Sequence, residues 1–258
     1  MKKGLFLLLI FVLTAVLQPV YAETENTVEP VVGSWMLDLV WENASGPDKT
    51  VLSPETSASL YMETVNVYTF NQDGSAVQVV HDGGDTVTLE GTWKKSEDVY
   101  TFDVDDGAPM EFTYEKNELH RYWKDDNPDA DYHDLDFVYS RVPVGEWKMT
   151  QVFSGKTDAD KTLLDPENAA SLYSESTNVY QWNNDGTGTT TLFEAGEAAA
   201  VEEWTWTREN DLYVVKTADS ETMFVYDPEE DVLYRYWVAL ATDSMYDNLE
   251  FVYTRAAL

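Results

Sequence analysis

The chain repeats itself. Val32-Gly33-Ser34-Trp35 returns as Val144-Gly145-Glu146-Trp147, and DKTVLSPETSASLY, from Asp48 to Tyr61, returns as DKTLLDPENAASLY, from Asp160 to Tyr173. Leu119-His120-Arg121-Tyr122-Trp123 returns as Leu233-Tyr234-Arg235-Tyr236-Trp237, and the run Asp136 to Arg141 returns as Glu250 to Arg255. The spacing between copies starts at 112 residues and ends at 114, so small loop insertions alone separate them. A unit of this length is a whole domain rather than one supersecondary element. The repeat therefore predicts two copies of one domain, at 32–142 and 143–258. Pro143 sits at the junction, leaving no linker on which the copies would swing.

Each copy reads as β. Trp35 to Trp41, Val65 to Phe70, Ala76 to Val80 and Thr86 to Trp93 form a first half. Val99 to Val104, Glu111 to Tyr114, Leu119 to Trp123 and Leu135 to Arg141 form a second. Short Gly, Asp and Asn turns divide them, with Asp73-Gly74 as a hairpin signal. Ser53-Pro54-Glu55 and Asp165-Pro166-Glu167 set an N-cap, a Pro at the first helical position and an acid in the first turn. They predict a short helix between the first two strands of each copy. The fold class is all-β: two tandem small antiparallel up-and-down barrels.

The ends and the composition bound the rest. Lys2 and Lys3, an apolar run from Gly4 to Leu17, and Val20-Tyr21-Ala22 read as a secretory signal over 1–22. The run is too short to span a bilayer. The expected product is secreted, periplasmic or displayed at the cell surface, with no stable membrane span after cleavage. Residues 23–31 read as an acidic tail. The 258 residues carry 48 acids against 16 bases, a net charge of −32. That charge argues against nucleic acid as a partner, because phosphate binding needs Lys and Arg. With no Cys, neither disulfides nor thiolate sites contribute.

Gly33-x-Trp35 and Gly145-x-Trp147, at the start of the first strand of each copy, resemble the G-x-W signature of lipocalins. Lipocalins also place an Arg on the last strand, packed across that Trp, and Arg141 and Arg255 stand at the matching places. Over 32–256 the copies resemble the calycin-type, lipocalin-like domains of exported bacterial proteins. The predicted helix between the first two strands is more like that of fatty-acid-binding proteins, and the helix lipocalins carry after the barrel is missing. The resemblance implies a Trp–Arg corner that closes one end of each barrel, through a cation–π contact of ~0.5–2 kcal/mol.

Four of the five Arg fall into repeat-matched pairs. Arg121 and Arg235 share a strand face with Trp123 and Trp237, because side chains alternate along a strand. Two readings stand: the guanidinium holds a ligand carboxylate, or it pairs with an internal Asp or Glu. Tyr61 and Tyr173 on the predicted helices, and Tyr68 and Tyr180 on the second strands, either line a pocket or fill the core. Asp125 to Asp131 has the oxygen ligands of a Ca²⁺ loop without its spacing or its Gly, and reads as a solvated acidic loop. His81, His120 and His133 have no His at the matched positions, and no nucleophile-elbow, zincin or P-loop motif occurs. The sequence therefore points to no enzyme, no metal site and no cofactor, and it names no protein partner. The leading expectation is a binding protein for small apolar or amphipathic ligands. The alternative is a structural or interaction module with filled barrels.

Overall fold

The computed structural model describes residues 28–82, 85–104, 108–127, 130–155, 160–194, 196–238 and 248–256. The segment expected to be a secretory signal, the first half of the expected acidic tail, and Pro128 and Asp129 of the acidic loop lie outside them.

Two closed, eight-stranded antiparallel barrels follow one another. In barrel 1 the wall runs through β1 (Gly33–Glu42), β3 (Val67–Phe70), β4 (Ser75–Asp82), β5 (Asp85–Ser96), β6 (Val99–Val104), β7 (Met110–Glu115), β8 (Glu118–Lys124) and β9 (Asp134–Arg141). β9 pairs back with β1, from Trp35 opposite Arg141 to Glu42 opposite Leu135. Barrel 2 repeats this with β10 (Gly145–Ser154), β12 (Val179–Trp182), β13 (Thr187–Glu194), β14 (Glu197–Glu209), β15 (Leu212–Lys216), β16 (Glu221–Asp227), β17 (Val232–Val238) and β18 (Asn248–Arg255). β10 closes on β18 with Trp147 opposite Arg255. The eight strands read from each copy are the eight of the wall. Closure removes the unpaired edges that an open sheet of this length would expose.

A two-residue strand, β2 (Thr50–Val51) or β11 (Thr162–Leu163), adds itself to the end of β1 or β10. The segment that follows corrects the expected helix. The caps form: Glu55 N donates to Ser53 Oγ at 3.2 Å, and Glu167 N donates to Asp165 Oδ1 at 3.0 Å. A single turn follows each cap, and the chain then tightens into 3₁₀ geometry over Ala58–Val65 and Ser174–Thr177. The reason is tethering. The Tyr61 hydroxyl donates to Leu52 O at 2.7 Å and accepts from Val40 N at 3.1 Å, while Tyr173 does the same between Leu164 and Val152. So short a helix is marginal alone, and pinning it to β1 or β10 sets its path as a strap.

Aromatic residues fill the barrels. Trp35, Tyr68, Phe70, Phe102, Phe112 and Tyr139 are all but fully buried in barrel 1; Trp35 stands edge-on to Tyr114, and the other five meet one another edge to face. In barrel 2 Trp182 takes the central place and stands edge-on to Trp204 (5.0 Å) and Phe224 (5.4 Å). Such pairs add about 0.5–1.5 kcal/mol each beyond their buried area.

The barrels touch. Met36, Val67 and Val142 of barrel 1 join the apolar cluster of barrel 2. A bulge in β1 between Leu37 and Leu39 carries Asp38 out of register, and Arg208 of β14 meets it at 3.2 Å. Arg208 also donates to Ser140 Oγ, and the Tyr213 hydroxyl donates to Arg141 O at 3.2 Å. Burial pushes the Tyr213 phenol up to about 12, so it remains a donor at neutral pH.

Candidate functional site

Each barrel has a closed end and an open end, and the sequence builds them differently. At the closed end the Arg141 guanidinium lies 4.5 Å over the Trp35 ring, and Arg255 lies 4.2 Å over Trp147. The indoles donate to the carbonyls of Val31 and Pro143. Gly33 is needed here twice over. Its φ is +137°, and a Cβ would meet Arg141 Nη1 at 2.5 Å. Gly145 has φ +129° and would meet Arg255 in the same way. The small residue of the G-x-W pattern thus makes room for the cation that covers the Trp.

The open ends lie under the straps. In barrel 1 a pocket of about 570 Å³ is walled by Leu60, Met110, Trp123, Leu135 and Phe137, with Arg121 among them. In barrel 2 a pocket of about 680 Å³ is walled by Leu172, Met223, Trp237, Leu249 and Phe251, with Arg235 among them. The walls correspond copy to copy: Leu60 to Leu172, Arg121 to Arg235, Trp123 to Trp237, Leu135 to Leu249 and Phe137 to Phe251. These two pockets recur at the same end of both barrels with these matched wall residues.

Both Arg point inward. Arg121 lies 4.7 Å over Phe137 and reaches Met110 Sδ at 3.8 Å. Arg235 lies 4.4 Å over Phe251 and pairs with Glu175 of the strap at 2.9 Å. Glu175 also accepts from the Tyr180 hydroxyl at 3.0 Å. Burial, then the Glu175 charge, raise the Tyr180 phenol far above its ordinary range. The sequence left open whether these Arg hold a ligand or an internal acid, and for Arg235 the acid is present. Glu175 was missed. The signal was available, because Glu63 occupies the same repeat position in the sequence.

The remaining sequence candidates divide. Trp123 and Trp237 stand half-exposed at the pocket rims. Tyr61 and Tyr173 spend their hydroxyls pinning the straps to β1 and β10. Tyr68 is buried and accepts from Gln78 Nε2 at 2.9 Å. Tyr180 borders a deeper chamber of barrel 2.

On the outer wall of barrel 1, fully buried Asp136 binds Lys49 at 3.0 Å and His120 Nδ1 at 3.0 Å. That hydrogen bond raises the His120 pKa against the opposing effect of burial. Barrel 2 keeps the acid and the Lys as Glu250 and Lys161, and has Tyr234 in place of the His. Among the described residues no group of three His, Asp or Glu is placed to hold a metal ion. Nor is any helix among them long and apolar enough to cross a membrane. The chain matches no family model and no curated protein.

Proposed function

We propose that the protein is an exported, non-catalytic binding protein that takes one small apolar or amphipathic molecule in the open end of each barrel. The observation that carries this is the recurrence of the two pockets, with Leu60, Arg121, Trp123, Leu135 and Phe137 of one matched by Leu172, Arg235, Trp237, Leu249 and Phe251 of the other. Their volumes lie in the range of small-molecule sites, and their walls are mostly apolar, with one convergent cation and two carboxylates each. The signal segment over 1–22 and the lipocalin-like pattern of G-x-W with a last-strand Arg support the same reading. The ligand we favour has no net charge. Arg235 already has its counter-ion in Glu175, and a chain of −32 repels anions. The same ion pair is what favours the rival, a structural module whose barrels admit nothing.

Nile red, an uncharged apolar fluorophore, separates the two. A fluorescence titration of the full chain should saturate. Trp123→Ala and Trp237→Ala remove rim aromatics without opening the core, and each should weaken binding in its own barrel several-fold. Absence of saturable binding supports the structural module.

A further inference from the structure

The barrels share their mouths but not their depths. In barrel 1, Gln78 of β4 donates to the Tyr68 hydroxyl, and Met110 of β7 lies against both Tyr68 and Arg121. These two long side chains occupy the space beneath the mouth. In barrel 2 their places are taken by the short Thr190 and Thr222, and a chamber of about 260 Å³ stands there. Its lining is also more polar than its counterpart. Leu89 has become Glu202, and Val104 has become Thr217. At the back, Phe70 has become Trp182, which is 1% exposed and lines the chamber. The Trp182 indole N–H is buried with no acceptor among the described residues. An orphaned buried donor is costly, whereas its Phe counterpart in barrel 1 has no such group. By contrast the Trp204 indole, in the same chamber wall, is satisfied by Thr190 Oγ1 at 2.9 Å.

We infer that the inner chamber of barrel 2 is a head-group site, which takes a compact, uncharged, oxygen-bearing group that accepts a hydrogen bond from Trp182 Nε1. This deepens the binding reading above and rests on it for the tail. The chamber and the mouth share Glu175, Thr222 and Arg235 in their walls, so one molecule spans them beside the ion pair. Its apolar part lies against Leu249 and Phe251, and its oxygen meets the indole. Charge selects the head. Glu175 and Glu202 both border the chamber, and the one cation there is paired. A carboxylate would be desolvated beside two acids, whereas an amide or hydroxyl would not. In barrel 1 Gln78 and Met110 stand where Thr190 and Thr222 leave room, and Phe70 carries no donor, so the barrels differ beneath their mouths and not at them.

Calorimetric titration of the full chain with octanamide, octanoate and Nile red tests this. Octanamide should bind one high-affinity site and octanoate about tenfold or more weaker. Trp182→Phe installs the residue of barrel 1, and should lower octanamide affinity about five- to tenfold while the empty protein melts no lower. Thr190→Gln refills the chamber as in barrel 1, and should abolish the preference for octanamide without changing Nile red binding at the mouths. If both variants bind octanamide as the parent does, the chamber holds water only and the inference falls, although Nile red binding keeps the mouth reading intact. If Nile red fails to bind but octanamide still depends on Trp182, the mouth reading falls and the chamber stands.

Discussion

Barrel 1 and barrel 2 use one anchor position for two different tasks. In barrel 1, Lys95 and Tyr100 hold Glu29 of the incoming chain, at 2.9 and 3.0 Å. In barrel 2 the matched Arg208 and Tyr213 hold Asp38, Ser140 and the Arg141 carbonyl, which belong to a whole domain. Position 29 and position 141 are themselves equivalent in the repeat. The same two residues thus fasten whatever precedes the barrel, whether a tail or another barrel. The matched face of barrel 2 differs from that of barrel 1. Met36 and Asp38, which face barrel 2, are replaced at the matched sites by exposed Lys148 and Thr150.

The largest effects should be shared by the barrels. Trp35→Ala and Trp147→Ala each delete a fully buried indole at the closed end, and each should cost ~3–5 kcal/mol in chemical denaturation. A cost several-fold larger in one barrel would mean that the corners are not equivalent.

The anchors should differ. Arg208→Ala removes a mostly buried cation bonded to Asp38 and Ser140, at ~1.5–3 kcal/mol. Lys95→Ala removes a more exposed one and should cost clearly less, because solvent screens an exposed pair. Fragments 30–142 and 143–258 sharpen this. Both should fold, the second less stably than in the full chain, because it loses its grip on barrel 1. Equal costs for Arg208→Ala and Lys95→Ala would reduce the domain contact to a surface pairing.

Much of this architecture was legible in the sequence, because each strand carries its own alternation and the repeat supplies every reading twice. The eight strands and the inward face of Arg121 and Arg235 come from period-two patterning. What was not legible depends on side chains brought together from distant strands. The chamber exists because Thr190 and Thr222, 32 residues apart in sequence, are both short where Gln78 and Met110 are long. The Asp38–Arg208 contact needs a bulge, which alternation does not announce. The straps carried good helix caps, yet the tethers from Tyr61 and Tyr173 to the barrel wall overrode them.

A smaller difference concerns pH. The Asp136 carboxylate holds the His120 pKa above its ordinary value. The stability this pair adds is full below about pH 6.5 and is lost as pH rises through the higher folded value. Barrel 1 should therefore lose stability relative to barrel 2 between mildly acidic and alkaline pH, by ~1 kcal/mol or less. His120→Gln should flatten that difference, as followed by thermal melts of the 30–142 fragment. A slope unchanged by the substitution would assign the pH dependence to other groups.

The central claim is that the chain carries two equivalent mouths. Equilibrium titration of the full protein with Nile red measures it most directly, read as the number of probe molecules bound at saturation. The account predicts two per chain, falling toward one when either rim Trp, Trp123 or Trp237, is replaced by Ala at a probe concentration between the two affinities. Saturation at no bound probe, or at a number that neither substitution changes, would contradict it.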